Sequence, residues 1–353
     1  MPNYIHGGNV WADGAPEQWI DFSANLNPKG IPEVMINSIK NNLDKIVYYP
    51  EVDMELPSLN IASYLGVPSE QILPTSGGIG ALSLISEGLV SPKIAILQPG
   101  FVEYLRLAKN KKSEVVHIPI INEQGKVFYP EDKIINALDE KTMLFICNPS
   151  NPIGTTIPRD SMLSIIDCAQ QKGATVVVDE AFIEYSQEDS VKDLVEKYPC
   201  LVIAGSLTKI FAIPGIRLGY ICANANLIEE LKQRQTPWSL SSFACDVTNV
   251  LGSTKEYVED SIKENKIQRQ FLTYELESLG VSVFDSKANF LLCDLRQKKI
   301  KTEELQKSLL KHKILIRNCS NYIFLDDYYT RIAVKSKEDN EYLIYYMKKY
   351  LGK

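Results

Sequence analysis

Ser206, Thr208 and Lys209 fall within one short stretch, Ser206-Leu207-Thr208-Lys209, and Arg217 follows eight residues later. They come straight after Cys200–Ala204, an apolar run that reads as a buried strand. A lysine delivered by such a strand can act as a nucleophilic amine that holds an aldehyde cofactor. The hydroxyls and the guanidinium would then clamp that cofactor's phosphate. A solvated loop explains S-x-x-K better when it stands alone, so its meaning depends on what else the chain carries.

Other chemistry-bearing residues also sit where an apolar run hands over to a loop. Asp179 closes Thr175–Val178, a continuous β-branched run expected of a strand buried on both faces. There it would be a carboxylate at the edge of a dry site, or a plain helix N-cap. Asn151, in Asn148-Pro149-Ser150-Asn151-Pro152, is a ligand for a phenolic oxygen or one more Asn-Pro turn. Phe101 is a ring-stacking or a core aromatic. Gly77, Gly78 and Ile79 precede an apolar-periodic helix, which would aim backbone N–H groups at a phosphate. Arg317 and Arg331 lie fourteen residues apart on short strand patterns. Guanidinium forks there suit a substrate with two anionic groups, unless both are ordinary surface arginines.

The elements that must position these groups alternate. Strands are predicted at 94–97, 115–118, 143–147, 175–178 and 200–204, with helices between them and a helix over 32–43 before them. This rhythm predicts an α/β fold, a mostly parallel central sheet flanked by helices, with ligand groups at the carboxyl ends of strands. After 236 the texture changes. A long charged helix over 255–279, short strands and two more helices predict a smaller α+β domain. The expected division is a large domain at 41–235, with 1–40 and 236–353 forming an N-terminal arm plus the small domain.

Composition narrows the function classes. A net charge of −6 argues against a nucleic-acid surface, and 45% hydrophobic residues with 23% charged is ordinary for a soluble globular protein. No apolar run approaches membrane-spanning length. The seven cysteines lack C-x-x-C pairing, so reduced thiols in a cytoplasmic protein are expected. With three histidines, none near another, no metal site is expected.

The whole series, Tyr49-Pro50, the glycine turn, Phe101, Asn-Pro-x-Asn-Pro, Asp-Glu-Ala-Phe, S-x-x-K and Arg217, resembles the fold-type I pyridoxal 5′-phosphate (PLP) enzymes of the aspartate aminotransferase superfamily. That resemblance covers essentially the whole chain. It implies PLP on Lys209, Asp179 at the pyridine nitrogen, Asn151 at the phenolic oxygen and Phe101 on the ring. Gly77, Gly78, Ile79, Ser206, Thr208 and Arg217 would hold the phosphate, joined by Tyr49 from the second subunit of a homodimer. Within the superfamily, His6-Gly7-Gly8-Asn9, Asp21–Gly30, Thr236–Leu240 and Leu315–Tyr322 resemble the threonine-phosphate decarboxylases. The histidinol-phosphate aminotransferases come next. The first resemblance implies decarboxylation of a phosphorylated amino acid, phosphothreonine or phosphoserine, for the cobalamin nucleotide loop. It also implies a carboxylate held by Arg331 and a phosphate held by His6, Asn25 and Arg317. One departure stands out: the family turn G-N-G-x-T/D-E has Ile79 and Gly80 in place of its last polar residue and its acid. That lowers the expected cofactor affinity and leaves a third reading open, a PLP-binding protein without catalysis.

Overall fold

The protein is described by a computed structural model over residues 6–11, 16–122 and 124–352. A two-residue strand, β1 (Ile20–Asp21), comes first, and the chain then builds its main sheet from seven strands. These are β2 (Ile72–Ser76), β3 (Lys93–Gln98), β4 (Glu114–Pro119), β5 (Thr142–Cys147), β6 (Thr175–Asp179), β7 (Leu201–Ser206) and β8 (Leu218–Ala223). Their order is β2-β8-β7-β6-β5-β3-β4. Every neighbouring pair is parallel except those of β8, which runs antiparallel to both β2 and β7.

The continuous apolar runs have a direct packing cause. Val176 and Val178 of β6 enter the core on one face of the sheet, and Val177 enters the core on the other. In β5, Leu144 and Ile146 go one way and Met143 and Phe145 the other. Side chains alternate along a strand, so only a sheet covered on both faces makes every position apolar. The helices Gly77–Gly88, Glu103–Lys111 and Ala225–Lys232 cover one face; Glu55–Leu65, Arg159–Lys172 and Ser242–Thr248 cover the other. Each buried Val, Leu or Ile contributes roughly 1.5–3 kcal/mol, so the strand ends are held by a dense, two-sided core.

The rest of the chain forms β9 (Ser282–Val283), β10 (Phe290–Asp294), β11 (Ile314–Leu315), β12 (Arg317–Asn318) and β13 (Tyr329–Ala333). The antiparallel order is β12-β13-β10-β9, while β11 pairs in parallel with β1. Leu272 and Leu276 of the long helix Lys255–Ser278 share a third core with Leu305, Leu343 and Met347. Phe22 lies in that same core, so the beginning of the chain is built into its end.

Three elements differ from expectation. β2 and β8 are strands where only a glycine turn and a lysine motif were read. Pro74 disguises β2, and proline is tolerated there because β2 is an edge strand. The helix expected over 32–43 stops at Lys40 and resumes as a 3-10 turn over Leu43–Val47. The Asn42 side chain donates to the carbonyl of Ser38 at 2.7 Å, a local bond that competes with helix continuation. Among the described residues no helix is long and apolar enough to cross a membrane.

Candidate active site

The parallel strands β5, β6 and β7 end on one edge of the sheet. The start of the antiparallel β8 lies there too, which is why Arg217, just before β8, joins residues that follow the other strands. The loops at this edge and the inner surface of the smaller sheet enclose a cavity of about 250 Å³. Its walls carry His6, Asn25, Gly78, Ile79 and Phe101, then Asn151, Asp179, Ser206, Thr208, Lys209, Arg217, Arg317 and Arg331. Of the residues singled out from sequence, Gly77 and Tyr49 are not on that wall. Gly77 sits one step behind it: with φ at +73°, a Cβ there would lie 2.4 Å from Nη2 of Arg217. The backbone favours glycine there, and a larger residue would displace the Arg217 guanidinium from its place. Tyr49 is 80% exposed, with its ring 4.8 Å from that of Trp238. The fold does not bring it to the cavity of its own chain.

Asp179 is buried at the end of β6, accepting hydrogen bonds from the Tyr104 hydroxyl (2.7 Å) and the Ala181 N–H (3.1 Å). Burial raises its pKa, opposed by those two hydrogen bonds and by the charge of Lys209. Tyr104 is itself stacked on Phe145, ring centroids 5.0 Å apart, and burial pushes its hydroxyl pKa far up. It is a fixed donor. The amine of Lys209 is lowered to about 8, first by burial, then by the cations of Arg331 and Arg217, with Asp179 pulling the other way. A neutral, nucleophilic fraction is thus present near neutrality.

At the opposite corner Ser206 Oγ and Thr208 Oγ1 lie 2.9 Å apart, beside the start of the helix Gly77–Gly88. Arg217 holds a left-handed backbone at φ +64°, a conformation that costs a non-glycine residue about 1–2 kcal/mol. Strain of this kind concentrates at functional sites, and here it turns the guanidinium back toward Gly77. Hydroxyls, a guanidinium and a helix N-terminus together make an anion cup.

The other wall comes from the smaller sheet. Arg317 and Arg331 are directly opposite in the β12–β13 register, so both side chains leave the same face. Both are buried, at 5% and 6% exposure, which removes the surface-arginine reading. Arg331 donates through Nη1 to Asn151 Oδ1 and through Nη2 to the carbonyl of Ser23 (2.9 Å). Arg317 donates to Asn321 Oδ1 at 2.7 Å and faces the Tyr322 ring at 5.4 Å. His6 Nε2 lies 2.7 Å from Glu103 Oε1.

Four contributors escaped the sequence reading. Tyr104 lies in the first turn of the helix Glu103–Lys111, three residues after Phe101, and its ring meets that of Phe101 edge-on at 5.7 Å. Tyr322 lines the cavity. Asn27 ties the lysine loop down, its N–H donating to the Lys209 carbonyl (3.1 Å) and its amide to that of Ile210 (2.7 Å). Ser23 acts through its backbone carbonyl, for which side-chain type gives no signal.

A mostly parallel sheet with lysine, aspartate and arginine gathered at this edge defines a fold-type I PLP-dependent enzyme. The chain belongs to the aminotransferase class I and II family, which matches residues 17–346. A Salmonella typhimurium protein named threonine-phosphate decarboxylase is 31% identical, over 97% of this chain and 95% of its own. The structure of a Clostridium acetobutylicum histidinol-phosphate aminotransferase superposes with a TM-score of 0.87 at 33% identity, covering 94% of this chain and 98% of its own. That of L-threonine-O-3-phosphate decarboxylase from Porphyromonas gingivalis gives 0.81 at 26% identity, covering 94% and 99%. The cofactor of the family is PLP, and the residues present fit it. They offer an anion cup, a buried carboxylate and an amine of lowered pKa. Two buried groups in the cavity, Arg331 Nε and Asn25 Oδ1, also have no partner among the described residues. Buried polar atoms left this way cost about 1–3 kcal/mol each unless a ligand meets them.

Proposed function

We propose that this protein is a carboxy-lyase that removes carbon dioxide from an O-phospho-L-amino acid, phosphothreonine or phosphoserine, leaving a phosphoamine. The observation that carries the reading is the buried pair Arg317 and Arg331, side by side in one cavity with Lys209. Two guanidinium forks on one wall match a ligand that carries two anionic groups, and a phospho-amino acid has both on one molecule. The decarboxylases among the relatives support the same substrate class. From phosphothreonine the product is the aminopropanol phosphate of the cobalamin nucleotide loop, as the resemblance implied.

In this reading Ser206, Thr208, Arg217 and the N–H groups at Gly77–Ile79 hold the cofactor phosphate. Asp179 faces the ring nitrogen, Asn151 the phenolic oxygen, and Phe101 the ring. Bound there, PLP supplies an electron sink for the pair left on Cα when carbon dioxide departs. Arg331 meets the carboxylate with its free Nε–H, while His6, Asn25 and Arg317 anchor the phosphate. Fixing the remote phosphate selects which bond at Cα stands perpendicular to the ring, so binding energy is used for orientation. Lys209 Nζ returns a proton to Cα. The apolar surfaces of Phe101, Phe182 and Ile79 exclude water from that step. Tyr49 acts in a homodimer, reaching the phosphate of the second subunit. Residues 41–235 carry the cofactor, and the arm with 236–353 carries substrate recognition.

A second reading, histidinol-phosphate aminotransfer, is favoured by the fold match at 33% identity. The test is to supply the PLP-loaded protein with phosphothreonine, phosphoserine, or histidinol phosphate plus a keto acid. Release of carbon dioxide and phosphoamine is expected. Brisk transamination of histidinol phosphate, with no carbon dioxide from either phospho-amino acid, overturns the lyase reading and installs the second.

A further inference from the structure

Ser23 stands where three pieces of chain meet. Its carbonyl accepts from Nη2 of Arg331 at 2.9 Å, and its hydroxyl accepts from the N–H of Gly8 at 2.7 Å. The same hydroxyl donates to Asp21 Oδ1 at 2.6 Å, and that oxygen also takes the N–H groups of Ser23 (2.7 Å) and Ala24 (3.2 Å). The neighbouring Phe22 is locked between strands. Its N–H meets the Leu315 carbonyl at 2.8 Å and its carbonyl meets the Ala333 N–H at 2.9 Å. Ser23 therefore has little freedom to move away from what touches it.

The arm touches it closely. A Cβ added to Gly7 would lie 2.1 Å from the Ser23 carbonyl oxygen and 2.7 Å from its carbonyl carbon. This is the carbonyl that holds Arg331. Immediately before Gly7, His6 reaches into the cavity and is fixed by Glu103. One residue thus connects the arm that bears a phosphate-side group to the guanidinium on the carboxylate side.

We propose that Ser23 is a positioning residue that couples the His6 arm to Arg331, so that both anionic ends of one substrate are gripped as a unit. This rests on the phospho-amino-acid reading above. Arm docking presses Gly7 against the Ser23 carbonyl and sets where Arg331 points; an Arg331 seated on a carboxylate in turn favours the docked arm. Coupling of this kind is reciprocal, so the effects of its members do not simply multiply. It also explains why the arm carries glycine at position 7, where φ is unremarkable and only the contact excludes a side chain.

The test uses holoenzyme whose cofactor has been fixed by borohydride, so that ligands bind without turnover. Calorimetry is run with phosphothreonine, L-threonine and inorganic phosphate. Ser23→Ala and His6→Ala should each weaken phosphothreonine about tenfold, the loss expected for one or two hydrogen bonds. The double variant should also lose only about tenfold. Gly7→Ala should weaken L-threonine as well, although that ligand has no phosphate, whereas His6→Ala should spare it. Cofactor affinity, measured on the unreduced variants, should stay at the wild-type value throughout. Losses that multiply to about a hundredfold, or a Gly7→Ala variant that binds L-threonine normally, overturn the coupling. Tight phosphothreonine binding by a wild type that releases no carbon dioxide in turnover overturns the reaction reading alone. No phosphothreonine binding by wild type overturns both.

Discussion

The two walls of the cavity are built on different plans. On the main-sheet side each group hangs from its own strand end, and the strands are clamped by core on both faces. On the smaller side, Arg331 and His6 depend on partners far away in sequence: Arg331 is held by Asn151, 180 positions off, and by Ser23, 308 positions off, and His6 by Glu103, 97 off. The first wall is positioned by the packing of single elements, the second by the meeting of remote segments. The cofactor wall can therefore stay constant while the substrate wall changes, which is consistent with one fold serving both decarboxylase and aminotransferase relatives.

The largest expected effect tests the cofactor wall. Lys209→Ala should lower kcat/KM by about a thousandfold or more, since it removes both the covalent anchor and the proton donor. Borohydride should then no longer fix cofactor to the chain, as peptide mapping would show. A reducible adduct that persists would remove Lys209 from its role.

Arg331→Ala tests the substrate wall. It should lower kcat/KM for a phospho-amino acid by roughly a hundredfold, the effect of truncating one partner of a buried charge pair. Cofactor dissociation, followed by fluorescence, should barely change. If cofactor affinity falls in step with turnover, the two walls are not separable.

The pH dependence of cofactor loading sharpens the same contrast. Only the neutral amine reacts with an aldehyde, and the Lys209 pKa is lowered to about 8. The loading rate of the apoprotein should rise with pH, reach about half its plateau near pH 8 and level off at about pH 9; at pH 7 it should be about a tenth of the plateau. A rate still climbing steeply above pH 9 in stopped-flow absorbance contradicts the lowered pKa. The sign for stability is the same: the folded state holds fewer protons than the unfolded one between about 8 and the ordinary lysine value, so this group adds stability as pH rises through that window.

Tyr104→Phe removes one donor to Asp179. The carboxylate pKa rises further, its charged fraction falls, and cofactor binding should weaken about tenfold, within the range for a hydrogen bond to a charged group. KM for substrate should hold, because Tyr104 touches only the cofactor wall. The smallest effect is Tyr49→Phe, about 1 kcal/mol in cofactor affinity for one lost hydrogen bond. It should appear only in a dimer, and a cofactor-loaded monomer seen by light scattering would contradict the reading.

The residues of the main-sheet wall were readable because each follows an apolar run, and the run itself announces a buried strand. Lys209, Asp179 and Asn151 could be picked out in this way before any fold was known. Arg217 was readable from its spacing, eight residues after Lys209, although the antiparallel strand that it precedes was concealed by the lysine motif. Tyr104 gave no such signal, because Phe101 stands before the helix Glu103–Lys111 that carries it. Nor did Ser23, because a backbone carbonyl has no sequence signature.

Sequence by itself determined the alternation of strand and helix, the two-sided burial of β5, β6 and β7, and the chemistry of the groups at their ends. These follow from local periodicity and residue type, which depend on near neighbours in the chain. Only the tertiary structure decided that Arg317 and Arg331 are buried partners, that the arm lies on Ser23, and that Tyr49 points away from its own site. Those facts depend on contacts between separate elements, among them Arg331 with Asn151 and Ser23 and Tyr49 with Trp238, and such contacts are set by how the cores pack rather than by any nearby pattern.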